Sequence, residues 1–219
     1  MTQPMPPVPL MQPMPPMPPM PPRPAPWVFH EGAVNLLGLS LGWAAQRSGA
    51  RIALAESCTG GLASSWLTRI AGSSQWFEGG VVSYSNAVKM HQLQVPFAFF
   101  ETHGAVSEPV ARAMAEGLGQ LASPLAKGRS FNTPFSTGPF LTAAITGVAG
   151  PTGGSNEKPV GLVWFAWAEF DRQHSKGLPR QTWSSCQRFA GNREAIQQQA
   201  AWYALAGLFG HLLARPATP

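Results

Sequence analysis

Apolar positions alternate between two spacings along most of the chain. Val34, Leu37, Leu41 and Ala45 recur at intervals of three and four, which predicts an amphipathic helix over 31–48 ending near Gly49. RIALA (51–55) is a short apolar run of strand length, and LASSWLTRI (62–70) returns to the helical spacing. GGVVSYS (79–85) predicts a second strand and NAVKMHQLQV (86–95) a short helix after it. SEPVARAMAEGLGQLA (107–122) opens with Ser107 as a cap and Pro109 in the first turn, both helix-start signals. FLTAAIT (140–146), LVWFAWAEF (162–170) and QTWSSCQRFA (181–190) predict three more strands, and 192–214 a closing helix. Strands that alternate with helices predict a layered α/β domain.

Two stretches break the pattern. Residues 1–26 are almost wholly Met, Pro and Gln. Proline fixes φ and lacks a donor, so this tract predicts a solvated polyproline segment outside the folded unit, which is placed at 27–215. Residues 123–139, rich in Pro, Gly, Ser and Thr, predict a loop.

Composition narrows the function classes. The formal net charge of +5 is dispersed, with no Lys/Arg run of the kind a nucleic-acid arm carries, so no nucleic-acid partner is expected. A weak positive field suits collection of an anionic small molecule. No stretch is apolar and long enough to span a bilayer, so no membrane partner is expected. The N-terminus lacks the basic start and apolar core of a secretory signal, and two isolated cysteines, Cys58 and Cys186, make no disulfide framework; the cytoplasm is the expected compartment. The five histidines are scattered and no CxxC occurs, so no metal site is expected.

Three segments carry candidate chemistry. In ESCTGG (56–61), Ser57 and Cys58 follow a strand and precede a helix, at the strand end where open α/β sheets place ligands. Thr59, Gly60 and Gly61 then open that helix, whose unpaired amides can hold an oxyanion or phosphate. The same residues also suit an ordinary helix cap. Ser57 and Cys58 are both nucleophile types, and the local pattern does not choose between them. In YSNAVK (84–89), Ser85 or Asn86 caps the next helix, so Lys89 falls in its first turn. A cation facing the positive end of the helix dipole, and burial, both lower a lysine's pKa toward that of a base; an exposed lysine on an ordinary helix is the plainer alternative. TGVAGPTGGSNEKPVG (146–161) matches neither a P-loop nor a dinucleotide fingerprint, yet a loop so rich in backbone donors can wrap a phosphate or ribose, or simply turn between strands.

These segments, in order, together with HGAVSEPVARAMAEG and the closing GNREAIQQQAAWYAL, resemble the CinA C-terminal family of nicotinamide-nucleotide amidases, also called PncC, over about residues 31–213. The resemblance implies a three-layer α/β/α fold with a mixed sheet, a homodimer, and no cofactor. The implied reaction is hydrolysis of the carboxamide of nicotinamide mononucleotide in pyridine-nucleotide salvage and NAD metabolism. It implies Ser57 as nucleophile, Lys89 as base and Tyr84 as an active-site neighbour. Thr59, Gly60 and Gly61, with Thr146, Gly147, Gly150, Pro151, Gly153 and Gly154 of the loop, are implied in the substrate pocket, and Arg193 as an anion partner. The family often has Asp at the position of Asn192 and Arg at that of Gln197. The Met/Pro tract has no family counterpart, residues 123–139 are longer than usual, and the sequence reads as the stand-alone form without a fused nucleotide-binding domain. A non-catalytic nucleotide-binding or competence-related module is the alternative function.

Overall fold

The structure, a computed structural model, describes residues 30–126, 138–171 and 178–215, with the side chains of 122–126 left aside. The predicted 1–26 tract and residues 127–137 of the predicted loop lie outside the described residues.

The chain runs α1 (Glu31–Arg47), β1 (Arg51–Glu56), α2 (Leu62–Thr68), β2 (Phe77–Val82), α3 (Asn86–Leu93), α4 (Phe97–His103), α5 (Glu108–Ala126), β3 (Phe140–Gly147), β4 (Leu162–Phe170), β5 (Gln181–Arg188) and α6 (Arg193–Leu213). The strands form one mixed sheet in the order β2-β1-β3-β4-β5. β2, β1 and β3 are parallel, whereas β4 and β5 each run antiparallel to their predecessor.

Helices cover both faces, so the central strands are buried along nearly their whole length and mostly apolar instead of alternating. All six residues of β1 are buried. Ile52 and Leu54 point into a core shared with α1, α2 and α6, and Ala53 and Ala55 into a second core under α5. The α5 side is lined by small residues, among them Ala144, Ala166 and Ala168, which lets that helix lie close to the sheet. The opposite face is aromatic. Trp167 and Trp183 stack with centroids 6.2 Å apart, and the Trp167 indole N–H donates to the Ala204 carbonyl at 3.0 Å.

Several boundaries differ from expectation. The second strand is Phe77–Val82 and not 79–85, because the chain leaves the sheet edge at Ser83 to start α3. The helix after ESCTGG begins only at Leu62, since Gly60 and Gly61 both adopt left-handed φ (62° and 97°) and form a turn instead. α5 continues to Ala126 into the segment expected to be loop. α4 was not expected: FAFFETH has no clear polar face, and Pro96 before it sets the N-terminus.

Candidate active site

β1 delivers Ser57 to its carboxyl end, where the Ser57 amide still donates to Ile145 of β3 at 2.9 Å. The neighbouring strand β2 ends at the same level, and the chain turns through Ser83 and Tyr84 into α3. Ser85 caps that helix by accepting from the Val88 amide at 3.2 Å. One turn in, Lys89 reaches back under the sheet edge. Its Nζ donates to Ser83 O at 2.7 Å and Tyr84 O at 3.2 Å and lies 3.0 Å from Ser57 Oγ.

Lys89 is 1 % exposed and Ser57 7 %. Burial strips water from the ammonium and pulls the Lys89 pKa down from 10.5 to about 8, and no described carboxylate pairs with it. Burial is one of the two causes anticipated from sequence. The neighbouring Cys58 thiol moves the other way. Burial pushes it up to about 12, with a smaller upward push from Glu56. It packs with the core and is a thiol at neutral pH, whereas a reactive cysteine needs the thiolate.

Sequence reasoning missed Glu56. Its fully buried carboxylate accepts from the Gly61 and Ala63 amides, both at 3.1 Å, from the Ser64 amide at 2.8 Å and from Ser64 Oγ at 2.6 Å. The amides at the start of α2, expected to be open to an oxyanion or phosphate, are therefore occupied from within. An acidic residue just ahead of a glycine turn and helix was the available signal.

Ser57 and Lys89 lie in a cleft of about 260 Å³. Tyr84, Thr146, Gly147, Gly150, Gly153 and Arg193 line it as well, as do Thr152 of the same loop, Asn86, expected only as a possible helix cap, and Ala105 and Val106, which the sequence did not single out. Thr59, Gly60, Gly61, Pro151 and Gly154 do not line it. Thr59 is buried with its hydroxyl unpartnered, Gly60 shapes the turn, and the Gly61 amide is committed to Glu56. Pro151 and Gly154 are exposed residues of the loop.

Arg193, the first residue of α6, closes the cleft's far wall. Its guanidinium donates to Gly150 O at 2.7 Å and to the Tyr84 hydroxyl at 3.1 Å, linking the glycine-rich loop to the β2–α3 turn. Asn192 caps α6 by accepting from the Ala195 amide at 2.9 Å, a task the isosteric Asp side chain performs equally. Gln197 donates to Cys58 O at 2.8 Å and so holds the Ser57 turn against α6. The loop's other end is tied down by Lys158, which donates to His103 O. The two charged side chains lining the cleft are both cations, Lys89 and Arg193.

The sequence profile of the CinA C-terminal domain matches residues 37–126 and 136–212. The chain belongs to this family. Among relatives, the nicotinamide-nucleotide amidohydrolase PncC of Pseudomonas putida is 42% identical over 175 residues, covering 80% of this chain and 94% of that protein. The protein of the same name from Shigella flexneri is 42% identical over 177 residues. The CinA-like protein of Gemmatimonas aurantiaca is 43% identical over 180 residues, but the chain spans only 36% of its length. Solved CinA structures share the fold. The competence damage-inducible protein A of Klebsiella pneumoniae superposes with a TM-score of 0.69 at 31% identity, covering 84% of this chain and 99% of that one. The competence/damage inducible protein CihA of Agrobacterium tumefaciens gives 0.66 at 32% identity, covering 82% and 95%. The three-layer arrangement with a mixed sheet is thus the CinA fold. Among the described residues no helix is long and apolar enough to cross a membrane.

Proposed function

We propose that this chain hydrolyses the carboxamide of nicotinamide mononucleotide to nicotinic acid mononucleotide and ammonia, with Ser57 as nucleophile and Lys89 as base. The observation that carries the reading is the 3.0 Å approach of Ser57 Oγ to a buried lysine amine with a lowered pKa, inside a cleft with cationic walls. The relatives named nicotinamide-nucleotide amidohydrolase supply the substrate class.

A neutral amine has two hydrogens and one lone pair. Ser83 O and Tyr84 O accept the two hydrogens, which leaves the lone pair for the Ser57 hydroxyl. Lys89 takes that proton as Ser57 Oγ attacks the carboxamide carbon. The ammonium so formed gives its proton to the departing nitrogen, and ammonia leaves an acyl-enzyme on Ser57. Water then attacks that ester, Lys89 accepts a proton from it and returns that proton to Ser57 Oγ as the ester C–O bond breaks, and nicotinic acid mononucleotide departs.

The α2 amides are occupied, so the tetrahedral oxygen falls to the backbone amide of Cys58, the turn residue after Ser57 that lines the cleft. One such donor contributes about 3 kcal/mol to the transition state. Arg193 has no carboxylate partner among the described residues and is the candidate for the 5′-phosphate.

Ammonia release by the purified protein tests the reading. Ser57→Ala and Lys89→Ala are each expected to lower kcat at least about 1000-fold, and Cys58→Ala to leave it within about threefold. An active Ser57→Ala protein beside a dead Cys58→Ala protein would reassign the nucleophile. Binding of the nucleotide without turnover by the wild type would favour a regulatory module. Turnover of nicotinamide or its nucleoside in preference to the nucleotide would change the substrate.

A further inference from the structure

Glu56 has no part in the steps above, yet both reacting side chains are tied to it. Its carboxylate binds the start of α2 through four donors, Gly61 N, Ala63 N, Ser64 N and Ser64 Oγ. An ordinary cap is a short side chain at the N-cap position that takes one or two amides. Here the N-cap is Gly61, which has no side chain, and the acceptor comes from the last residue of the preceding strand. The contact pins the end of β1 to the start of α2, so the turn carrying Ser57 is closed at both ends.

The backbone of the same residue serves the other partner. Glu56 O accepts from the Ser83 amide at 2.7 Å and from Ser83 Oγ at 3.3 Å, and Ser83 O in turn accepts from Lys89 Nζ at 2.7 Å. Ser57 follows Glu56 directly in the chain, and Lys89 is joined to it through Ser83. With no exposure to solvent and no described cation paired to it, the carboxylate is held by those four donors alone.

We propose that Glu56 is a positioning residue: its carboxylate fixes the turn that holds Ser57 Oγ against Lys89 Nζ. The inference rests on Ser57 being the nucleophile. It also gives the buried acid a purpose that stability does not require, since a neutral cap would satisfy one or two α2 amides without placing a carboxylate beside the reacting pair.

The test is the rate at which a fluorophosphonate labels Ser57, measured beside ammonia release. In labelling, Ser57 Oγ bonds to phosphorus, fluoride leaves, and Lys89 takes the hydroxyl proton, so the rate reports the serine–lysine pair without any nucleotide. In Glu56→Gln an amide NH2 replaces one acceptor oxygen and faces backbone N–H groups. For this variant, confirmed folded by near-UV circular dichroism, labelling and kcat are both expected to fall about 100-fold with KM within about twofold, as for a displaced reacting group. Ser64→Ala removes only one of the four donors and is expected to slow labelling about fivefold.

A Glu56→Gln protein that melts earlier but labels and turns over at the wild-type rate overturns the proposal, leaving Glu56 a purely structural cap. If that variant does not fold, Ser64→Ala decides, and unchanged labelling there overturns it. Wild-type protein labelled at a residue other than Ser57 would instead sink the nucleophile assignment and this proposal with it. Labelling at Ser57 that Glu56→Gln leaves unchanged sinks this proposal alone.

Discussion

Lys89 keeps the same three neighbours in both of its protonation states. As an ammonium it donates to Ser83 O, Tyr84 O and Ser57 Oγ; as an amine it donates to the two carbonyls and accepts from the hydroxyl. The proton can therefore pass between oxygen and nitrogen with no heavy atom moving. Because only the amine form acts as base, kcat/KM is expected to rise with pH along a limb centred near 8, measurable as initial ammonia release between pH 6 and 9.5. A flat profile across that range would exclude Lys89 as the titrating base. The strand ends that carry Ser57 and Lys89 were legible in the sequence from strand–turn–helix punctuation, but the choice of Ser57 over Cys58, and of Lys89 as its partner, came only through the family resemblance. The role of Glu56 was not legible, since it reads as the last residue of a strand and its partners lie beyond the turn. The same gap explains the misplaced oxyanion donors: counting unpaired helix amides from sequence assumes that nothing nearby has taken them.

Helix α3 carries Lys89, the proposed base, and its height above the sheet is set by α5. Leu93 ends α3 with its carbonyl against Gly117, where a Cβ would sit 1.7 Å from the oxygen. Gly117→Ala must push the two helices apart, as overpacking does, at a cost of about 2 kcal/mol. The expected signature is twofold: a lower melting temperature, and a loss of kcat larger than the folded fraction accounts for, because Lys89 moves with α3. Urea titration alongside steady-state kinetics separates the two. Element identities were largely legible, since apolar spacing distinguishes buried strands from amphipathic helices. α4 was not, because its aromatic residues show no clear period, and neither was the extension of α5 through a stretch whose composition reads as loop.

Across the whole molecule the two ends of the sheet differ in chemistry. The cleft lies beyond Gly147 at the carboxyl end of β3, whereas Glu169 of β4 pairs with Leu141 at the opposite end. Burial alone would raise the Glu169 carboxyl, but hydrogen bonds from His211 and Arg215 and their charges outweigh it and hold the group at about 2. A carboxyl lowered from 4.5 stabilises the fold fully above that pH, and the contribution drains away as pH falls from 4.5 toward 2. Glu169→Gln is therefore expected to destabilise the protein by about 3 kcal/mol at neutral pH, with the gap from wild type closing toward pH 2 in denaturant titrations. The layered α/β class was legible from alternation. That the sheet is mixed came only through the resemblance, and the strand order was not anticipated at all, because a strand buried on both faces looks the same whether its neighbour runs with it or against it. That reversal between β3 and β4 has a further consequence. The glycine-rich excursion starts and finishes at adjoining rungs of one ladder, Gly147 opposite Val163, so the sheet is complete whatever the excursion contains. On the proposed function it is an exchangeable cassette: the segment that would contact the ligand can change without disturbing the strand pairing that positions Ser57.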